Sequence, residues 1–405
     1  MKLIEGGVCA PKGFRASGLH VGVKTKKTDK KDLGLIVADC GCTAAAVYTR
    51  NVVKAAPLLI TKENLEDGRA RAVIANSGNA NACAPCGEEN ARRMCRAVAL
   101  PLGISERDVI VASTGVIGQK LPVEVIEGGA AELVAKLSTA GSKDAASAIM
   151  TTDLAMKEIA AEFEIGGAPV RIGGIAKGSG MIHPNMGTML AFLTTDCAIG
   201  SEAIRKALVA ATDVSFNRIS VDGDTSTNDM MSLLASGLAG NAEIQGPGKD
   251  YDDFVGALSA LCVDLAKMMA ADGEGATHLI ACRVGSAKSE AEAETLSKAV
   301  ISSTLTKAAM FGADANWGRV LCAMGYSGVA FDPDRVDIAF ESAAGRVPVC
   351  ENGRGLPFDE GLAKRVLTEH DITIDIDMGA GAGACVCWGC DITYDYIRIN
   401  GDYRS

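Results

Sequence analysis

The sequence predicts an α/β protein. Short apolar runs of strand length recur along the chain, at 71–76, 109–112, 189–193 and 279–283, with Asn, Ser, Thr or Gly close behind them. Between them stand stretches with helical periodicity at 88–100, 202–213 and 250–271. Apolar residues make up 48% of the 405, so a sizeable core can be buried. No repeat, low-complexity linker or composition shift marks two independent domains.

Taken in order, 33–38 and 43–48 read as two short strands separated by 39–42. The charge-rich stretch 24–31 reads as a solvated hairpin tip. The strand at 71–76 runs into a loop rich in Asn and Gly, 76–81, and the strand at 109–112 into Ser113-Thr114-Gly115. A helix ends near Met150 and Thr151-Thr152-Asp153 follows it. Gly166-Gly167 and Gly173-Gly174 punctuate two strands that lead to Lys177-Gly178-Ser179. A further strand, 218–221, enters Asp222-Gly223-Asp224. The C-terminal third offers helical segments over 286–311 and 359–370, a hairpin region over 331–355, and last strands at 372–376 and 384–399.

Charge and composition exclude several function classes. A net charge of −10, a pI near 5.1 and only 4% aromatic residues argue against a nucleic-acid partner. The N-terminal MKLIEGGVCAPKGF lacks a signal-peptide core, and no later run is expected to reach membrane-spanning length. The expectation is a cytoplasmic protein without a membrane partner. Among fourteen cysteines, Cys83-Ala84-Pro85-Cys86 and Cys387-Trp388-Gly389-Cys390 form CxxC pairs. They lie roughly 300 residues apart, against the ~15–20 usual in a zinc site, so free thiols and no metal are expected.

The chemistry centres on Lys177 to Asp196, KGSGMIHPNMGTMLAFLTTD. Thr188 reads most simply as a β-branched residue opening a strand. The sharper reading makes it a nucleophile that becomes an N-terminus. Its hydroxyl attacks the Gly187 carbonyl, the peptide shifts to an ester, and water releases an α-amine beside the hydroxyl. Such an amine, with a pKa near 8, can serve as the general base of a threonine. Thr114-Gly115 can be a plain turn or a hydroxyl and amide facing one oxyanion. Lys177-Gly178-Ser179 is not a phosphate loop, because Lys precedes Gly and Pro184 follows. The Asp222-x-Asp224 pair superficially matches an aspartyl-phosphate motif and is read as loop structure. The four histidines, His20, His183, His278 and His370, stand in no Ser-His or Cys-His context, although His183 is five residues from Thr188. The glycines at 379–383 read as a turn.

The motif order resembles one family from end to end. Gly6-Gly7-Val8 with 10–14, the Asn loop 75–82, 113–118, Thr151-Thr152-Asp153, the 177–190 context, 222–229 (DGDTSTND), 272–277 (DGEGAT), 315–319 (ANWGR) and 399–405 are similar to signatures of the ornithine acetyltransferases, the glutamate N-acetyltransferases of arginine biosynthesis. The resemblance implies a layered α-β-β-α-like sandwich with a smaller C-terminal α/β portion. It implies self-cleavage between Gly187 and Thr188 into an α chain, 1–187, and a β chain, 188–405, paired as α2β2. Gly187 stands where alanine is common in the family. The implied reaction moves the acetyl group of N-acetylornithine to glutamate through acetyl-Thr188. Thr114 and Gly115 hold the oxyanion, and Thr151, Lys177, Thr188, Glu274, Asn400 and Ser405 contact substrate. Lys177 can take the substrate's α-carboxylate. Glu274, between two glycines, can take the ornithine ammonium. No cofactor is expected, and the resemblance allows acetyl-CoA as a second donor without deciding it. Two alternatives stay open: an N-terminal-threonine amidase or aminopeptidase, and a metal-stapled binding protein built on the CxxC pairs.

Overall fold

The computed structural model describes residues 1–25, 30–183 and 189–402. Gly187, Thr188 and Ser405, three of the expected site residues, lie outside the described residues, as do positions 26–29 of the charged turn. Among the described residues the chain forms two compact units. Unit 1 takes 1–178, 189–217 and 225–266; unit 2 takes 179–183, 218–224 and 267–402. Each unit is assembled from separated stretches, so no composition shift along the chain could announce it.

Unit 1 is built on one mixed sheet. Its strands are β1 (Lys2–Ile4), β2 (Phe14–Leu19), β3 (Leu33–Tyr48), β4 (Arg69–Asn76), β5 (Val109–Ser113), β6 (Lys157–Ile165), β7 (Ala168–Lys177) and β8 (Leu190–Thr195). After β9 (Ile219–Ser220), which belongs to unit 2, β10 (Met230–Ala235) completes the set. The order is β1-β6-β7-β8-β10-β3-β4-β5, with β2 also paired to β3. β8 runs antiparallel to β7 and parallel to β10. It is buried at every position, as the run 189–193 predicts.

Both faces of this sheet are covered. The helix α4 (Ser142–Ile149; α1 to α3 are Ala56–Asn64, Gly87–Leu102 and Val123–Ala135) packs on one face, where Ala145, Ala146 and Ile149 join Phe14, Ile36, Ile175 and Phe192. On the other face Met94, Val98 and Leu133 of α2 and α3 join Leu35, Ile74 and Val111. Each such large apolar side chain contributes about 1.5–3 kcal/mol when fully buried.

Two expectations change in unit 1. The strands expected at 33–38 and 43–48 are one strand, β3, with a register shift against β4 between Val37 and Cys42. The intervening polar residues are absorbed as an irregularity without ending the ladder. Gly173 and Gly174 lie inside β7. A Cβ on Gly173 would stand 1.8 Å from the Gly7 carbonyl oxygen, so the glycine admits a crossing segment.

Helix α5 (Ser201–Asp213) matches its predicted span, and α6 (Lys249–Ala271) is 23 residues long. By length and composition α6 could cross a membrane, contrary to the expectation that no run would. Half of its apolar window is buried, along the stripe Phe254, Leu258, Leu261, Leu265 and Met269. Spacings of three and four residues mark it as a core helix.

Unit 2 has a second mixed sheet. Its strands after β9 are β11 (Leu279–Ala287), β12 (Asp337–Ser342), β13 (Gly345–Glu351), β14 (Arg354–Gly355), β15 (Asp371–Asp377) and β16 (Gly383–Cys390), ordered β14-β13-β12-β15-β11-β16-β9. The helices are α7 (Glu290–Ser302), α8 (Thr304–Phe311), α9 (Trp317–Gly325), α10 (Glu360–Leu367) and α11 (Tyr394–Gly401). Leu296, Val300, Val366 and Leu367 close the core against Val284, Phe340 and Ile374. The expected last strand over 384–399 is half right. Residues 394–401 form α11, a helix with no buried residue. The β-rich sequence Tyr-Asp-Tyr-Ile-Arg-Ile suggests a strand. β16, however, is already paired to β11 and β9 and has no free edge to offer.

Candidate active site

The oxyanion candidates follow β5, which ends beside β4 with Ser113 opposite Asn76. The Thr114 amide donates to the Asn76 carbonyl (2.9 Å). The Asn76 side chain accepts from the amides of Gly78 and Asn79 (3.3 and 3.2 Å) and donates to the Ser113 hydroxyl (2.7 Å). On the carbonyl side, Asn228 Nδ2 donates to the oxygens of Ala80 (2.6 Å) and Ser113 (2.8 Å). Gly115 has φ +131°, and a Cβ there would lie 2.6 Å from the Gly78 carbonyl carbon. Only glycine fits. Neither the Thr114 hydroxyl nor the Gly115 amide has a hydrogen-bond partner among the described residues, and both residues are half-buried. Two donors on adjacent residues, held rigidly and left unused, are what stabilising an oxyanion requires.

A second cluster in unit 1 gathers around Asp153. Its carboxylate accepts from Lys157 Nζ (2.7 Å), the Gly178 amide (2.7 Å) and the Thr151 amide (2.9 Å). Asp153, Lys157 and Lys177 are all buried. Burial by itself would raise the Asp153 pKa. The charge of Lys177, then that of Lys157, outweighs it and holds the carboxyl well below its ordinary range. The Thr151 amide is thereby bonded to the carboxylate on which the Lys177 charge acts. Lys177, the last residue of β7, stands opposite Leu190 in the β7–β8 register.

Unit 2 brings together Glu274 and Asn400. Glu274 is 4% exposed; its carboxylate accepts from Asn400 Nδ2 at 2.5 Å, and its amide donates to the Ser179 carbonyl (3.0 Å). The flanking glycines let the turn close. A Cβ on Gly273 would lie 2.5 Å from Cys390 Sγ, and one on Gly275, at φ +73°, 2.4 Å from Asp395 Cβ. Asn400 is carried by α11, which is anchored by Tyr396 donating to Asp222 (3.2 Å). Asp222 also accepts from the amides of Met181 and Ile182 (2.6 and 2.9 Å), so it is the loop-organising carboxylate the sequence suggested. Burial, then Asp222, pushes the Tyr396 phenol up beyond its ordinary range.

The histidines hold structural partners. His20 lies on Asp32 (3.2 Å), His278 on Asp391 (3.0 Å) and exposed His370 on Asp371 (2.6 Å). His183 Nδ1 lies 3.0 Å from Ser220 Oγ. Ser220 is fully buried within β9, where no substrate reaches it. Burial lowers the His183 pKa, with Lys298 adding to it. Of the CxxC cysteines, Cys83 and Cys86 are exposed and Cys387 and Cys390 buried, all as free thiols. Among the described residues no three His, Cys, Asp or Glu side chains group as a metal site.

Four residues that shape these clusters were not singled out from the sequence: Asn76 and Asn228 beside Thr114, Asp153 between the lysines, and Gly180 against Glu274. All four lie within motifs that were noticed. What gives Asn76, Asp153 and Asn228 their roles is a hydrogen bond to a partner distant in sequence, and Gly180 leaves room for the Glu274 carboxylate.

Comparison with known proteins gives the class. A family model described as the ArgJ family matches residues 15–405. The arginine biosynthesis bifunctional protein ArgJ of Symbiobacterium thermophilum is 51% identical over the whole of both chains. In a crystal structure of arginine biosynthesis bifunctional protein argJ from Bacillus halodurans, the matched chain is 44% identical with a TM-score of 0.50, covering 53% of this chain and 99% of that one. A chain of ornithine acetyltransferase from Mycobacterium tuberculosis, crystallised with ornithine, is 40% identical with a TM-score of 0.42 and covers 46% and 98%. The protein is an α/β enzyme of the acyltransferase class. The chain belongs to the ArgJ family.

Proposed function

We propose that this enzyme transfers the acetyl group of N2-acetylornithine to glutamate through an ester on Thr188, after cutting its own chain between Gly187 and Thr188. The observation that carries the reading is the pair of unused donors at Thr114 and Gly115. In the cut, the Thr188 hydroxyl attacks the Gly187 carbonyl and the amide becomes an ester. Water then splits it, leaving the Gly187 carboxylate and a free Thr188 amine. In transfer, that amine takes the hydroxyl proton while Thr188 Oγ attacks the acetyl carbon. The C–N bond breaks, the proton passes to the departing amine, and ornithine leaves. The amine of glutamate then attacks the ester and regenerates the hydroxyl. Thr114 and Gly115 stabilise the oxyanion in each step. No resident cofactor enters this chemistry.

Substrate contacts follow the family pattern. Lys177, fixed beside Asp153, receives the α-carboxylate, with Thr151 on the same carboxylate. Glu274, held by Asn400, receives the side-chain ammonium, and Ser405 completes the set. Two features support cleavage. Residues 188–405 are 218 of 405, about 54%, and the argJ chain matched over 99% of its length covers 53% of this one. β8 and β10, from 188–405, lie between β7 and β3 of 1–187, so a cut chain stays assembled. Two such cut chains pair as a cytoplasmic α2β2 enzyme. The relative's name, bifunctional, supports acetyl-CoA as a second donor.

The test is the intact mass under denaturing conditions, followed by transfer assays with acetylornithine and acetyl-CoA. Two fragments of 187 and 218 residues, the second beginning at Thr188, are expected. A single uncut chain that transfers acetyl groups overturns the amine-as-base scheme. Hydrolysis of acetylornithine without transfer to glutamate favours the amidase reading.

A further inference from the structure

We infer that Asn228 is a positioning residue for acyl transfer, acting through Thr114. The inference rests on the oxyanion role of Thr114 and Gly115. Asn228 is 7% exposed, and its side-chain amide is used completely. Nδ2 donates to the Ala80 oxygen at 2.6 Å and the Ser113 oxygen at 2.8 Å, and Oδ1 accepts from the Thr227 hydroxyl at 2.7 Å. The two carbonyls, which can only accept, fix which way the amide points, and the Thr227 hydroxyl bonds its oxygen. The two Nδ2 bonds fix two carbonyls, one in each loop that frames the donor pair.

The geometry gives this amide a specific task. The Ser113 carbonyl belongs to the peptide unit whose nitrogen is Thr114 N. That peptide is held at both ends: Thr114 N donates to the Asn76 carbonyl, and the Ser113 oxygen accepts from Asn228. Its plane is therefore fixed, and with it the start of Thr114. The neighbouring loop is held on both sides of Ala80, since its amide donates to Val116 O while its oxygen, in the next peptide unit, accepts from Asn228. Asn228 thus adds a side-chain tie between residues 113–116 and the Asn loop to the backbone bonds that already join them. It uses no atom of the oxyanion pair, whose hydroxyl and amide stay free. A donor pair displaced by about 1 Å from the developing charge loses much of its effect, so rigidity here appears as rate.

The test compares N228D, T227V and T114A with the double variant N228D/T114A, reading self-cleavage rate, kcat and KM for acetylornithine, and Tm. N228D keeps the shape and replaces two donated bonds by a carboxylate facing two carbonyls. Expected is a drop in kcat and cleavage of about 10- to 100-fold with KM within about twofold, and a smaller drop of the same kind in T227V. In the T114A background N228D costs clearly less than in the wild type, because one of the two donors it positions is gone. A folded N228D at the wild-type rate overturns the inference, as does an equal loss in both backgrounds. If N228D does not fold, T227V decides, and a wild-type rate there overturns it. T114A at the wild-type rate removes the oxyanion reading itself and this inference with it, an outcome distinct from the others.

Discussion

A Cβ on Gly180 would stand 2.3 Å from the carboxyl carbon of Glu274 and 2.4 Å from both its oxygens. The carboxylate therefore occupies the space a side chain at 180 would need. Gly180→Ala must push Glu274 away from Asn400. If Glu274 holds the ornithine ammonium, KM for acetylornithine rises about 10-fold or more, as expected when a charged hydrogen bond of ~1.5–3 kcal/mol is lost. Steady-state kinetics check this, and Tm should change by only a few degrees.

At Gly115 both φ, +131°, and the 2.6 Å approach to Gly78 forbid a side chain. Under the proposed reaction, Gly115→Ala displaces one oxyanion donor. Cleavage and transfer should fall together by about 10²–10³, the cost of one such donor. A variant that cleaves normally but transfers slowly would separate the two reactions.

The sheet order β7-β8-β10-β3 alternates halves of the chain across the expected cut. β8 makes six register pairs with β7 and six with β10. The 187- and 218-residue fragments should therefore elute together in native size exclusion and separate only in denaturant. Fragments that part in plain buffer would contradict this topology.

Asp153 carries a pH signature. Burial alone would raise its pKa, but Lys177 and Lys157 hold it below the ordinary 3.8. A folded-state pKa below the unfolded one stabilises the protein fully above 3.8. That contribution disappears as pH falls through the lower folded value. Asp153→Asn should lose about 3–5 kcal/mol at neutral pH, because Lys157 stays buried without its partner. Its stability should also fall less steeply below pH ~4 than that of the wild type. Urea unfolding across pH 2–7 checks both.

The sequence by itself determined the local pieces. Val109 to Ala112 read as a strand followed by a polar step, and it is buried throughout; the flanking glycines of Glu274 announced a close approach, and Cys390 and Asp395 stand against them. Motif order along the chain brought out the family. These readings rest on period, composition and turn chemistry, which act over a few residues. Tertiary structure decided the rest. It continued β3 through 39–42, turned 394–401 from an expected strand into a helix, and divided the chain into units of separated stretches. It also gave Asn228 its two carbonyls, 115 and 148 residues away in sequence. Such choices depend on which strand edges are free and which buried polar groups lack partners, and these exist only once distant segments have met.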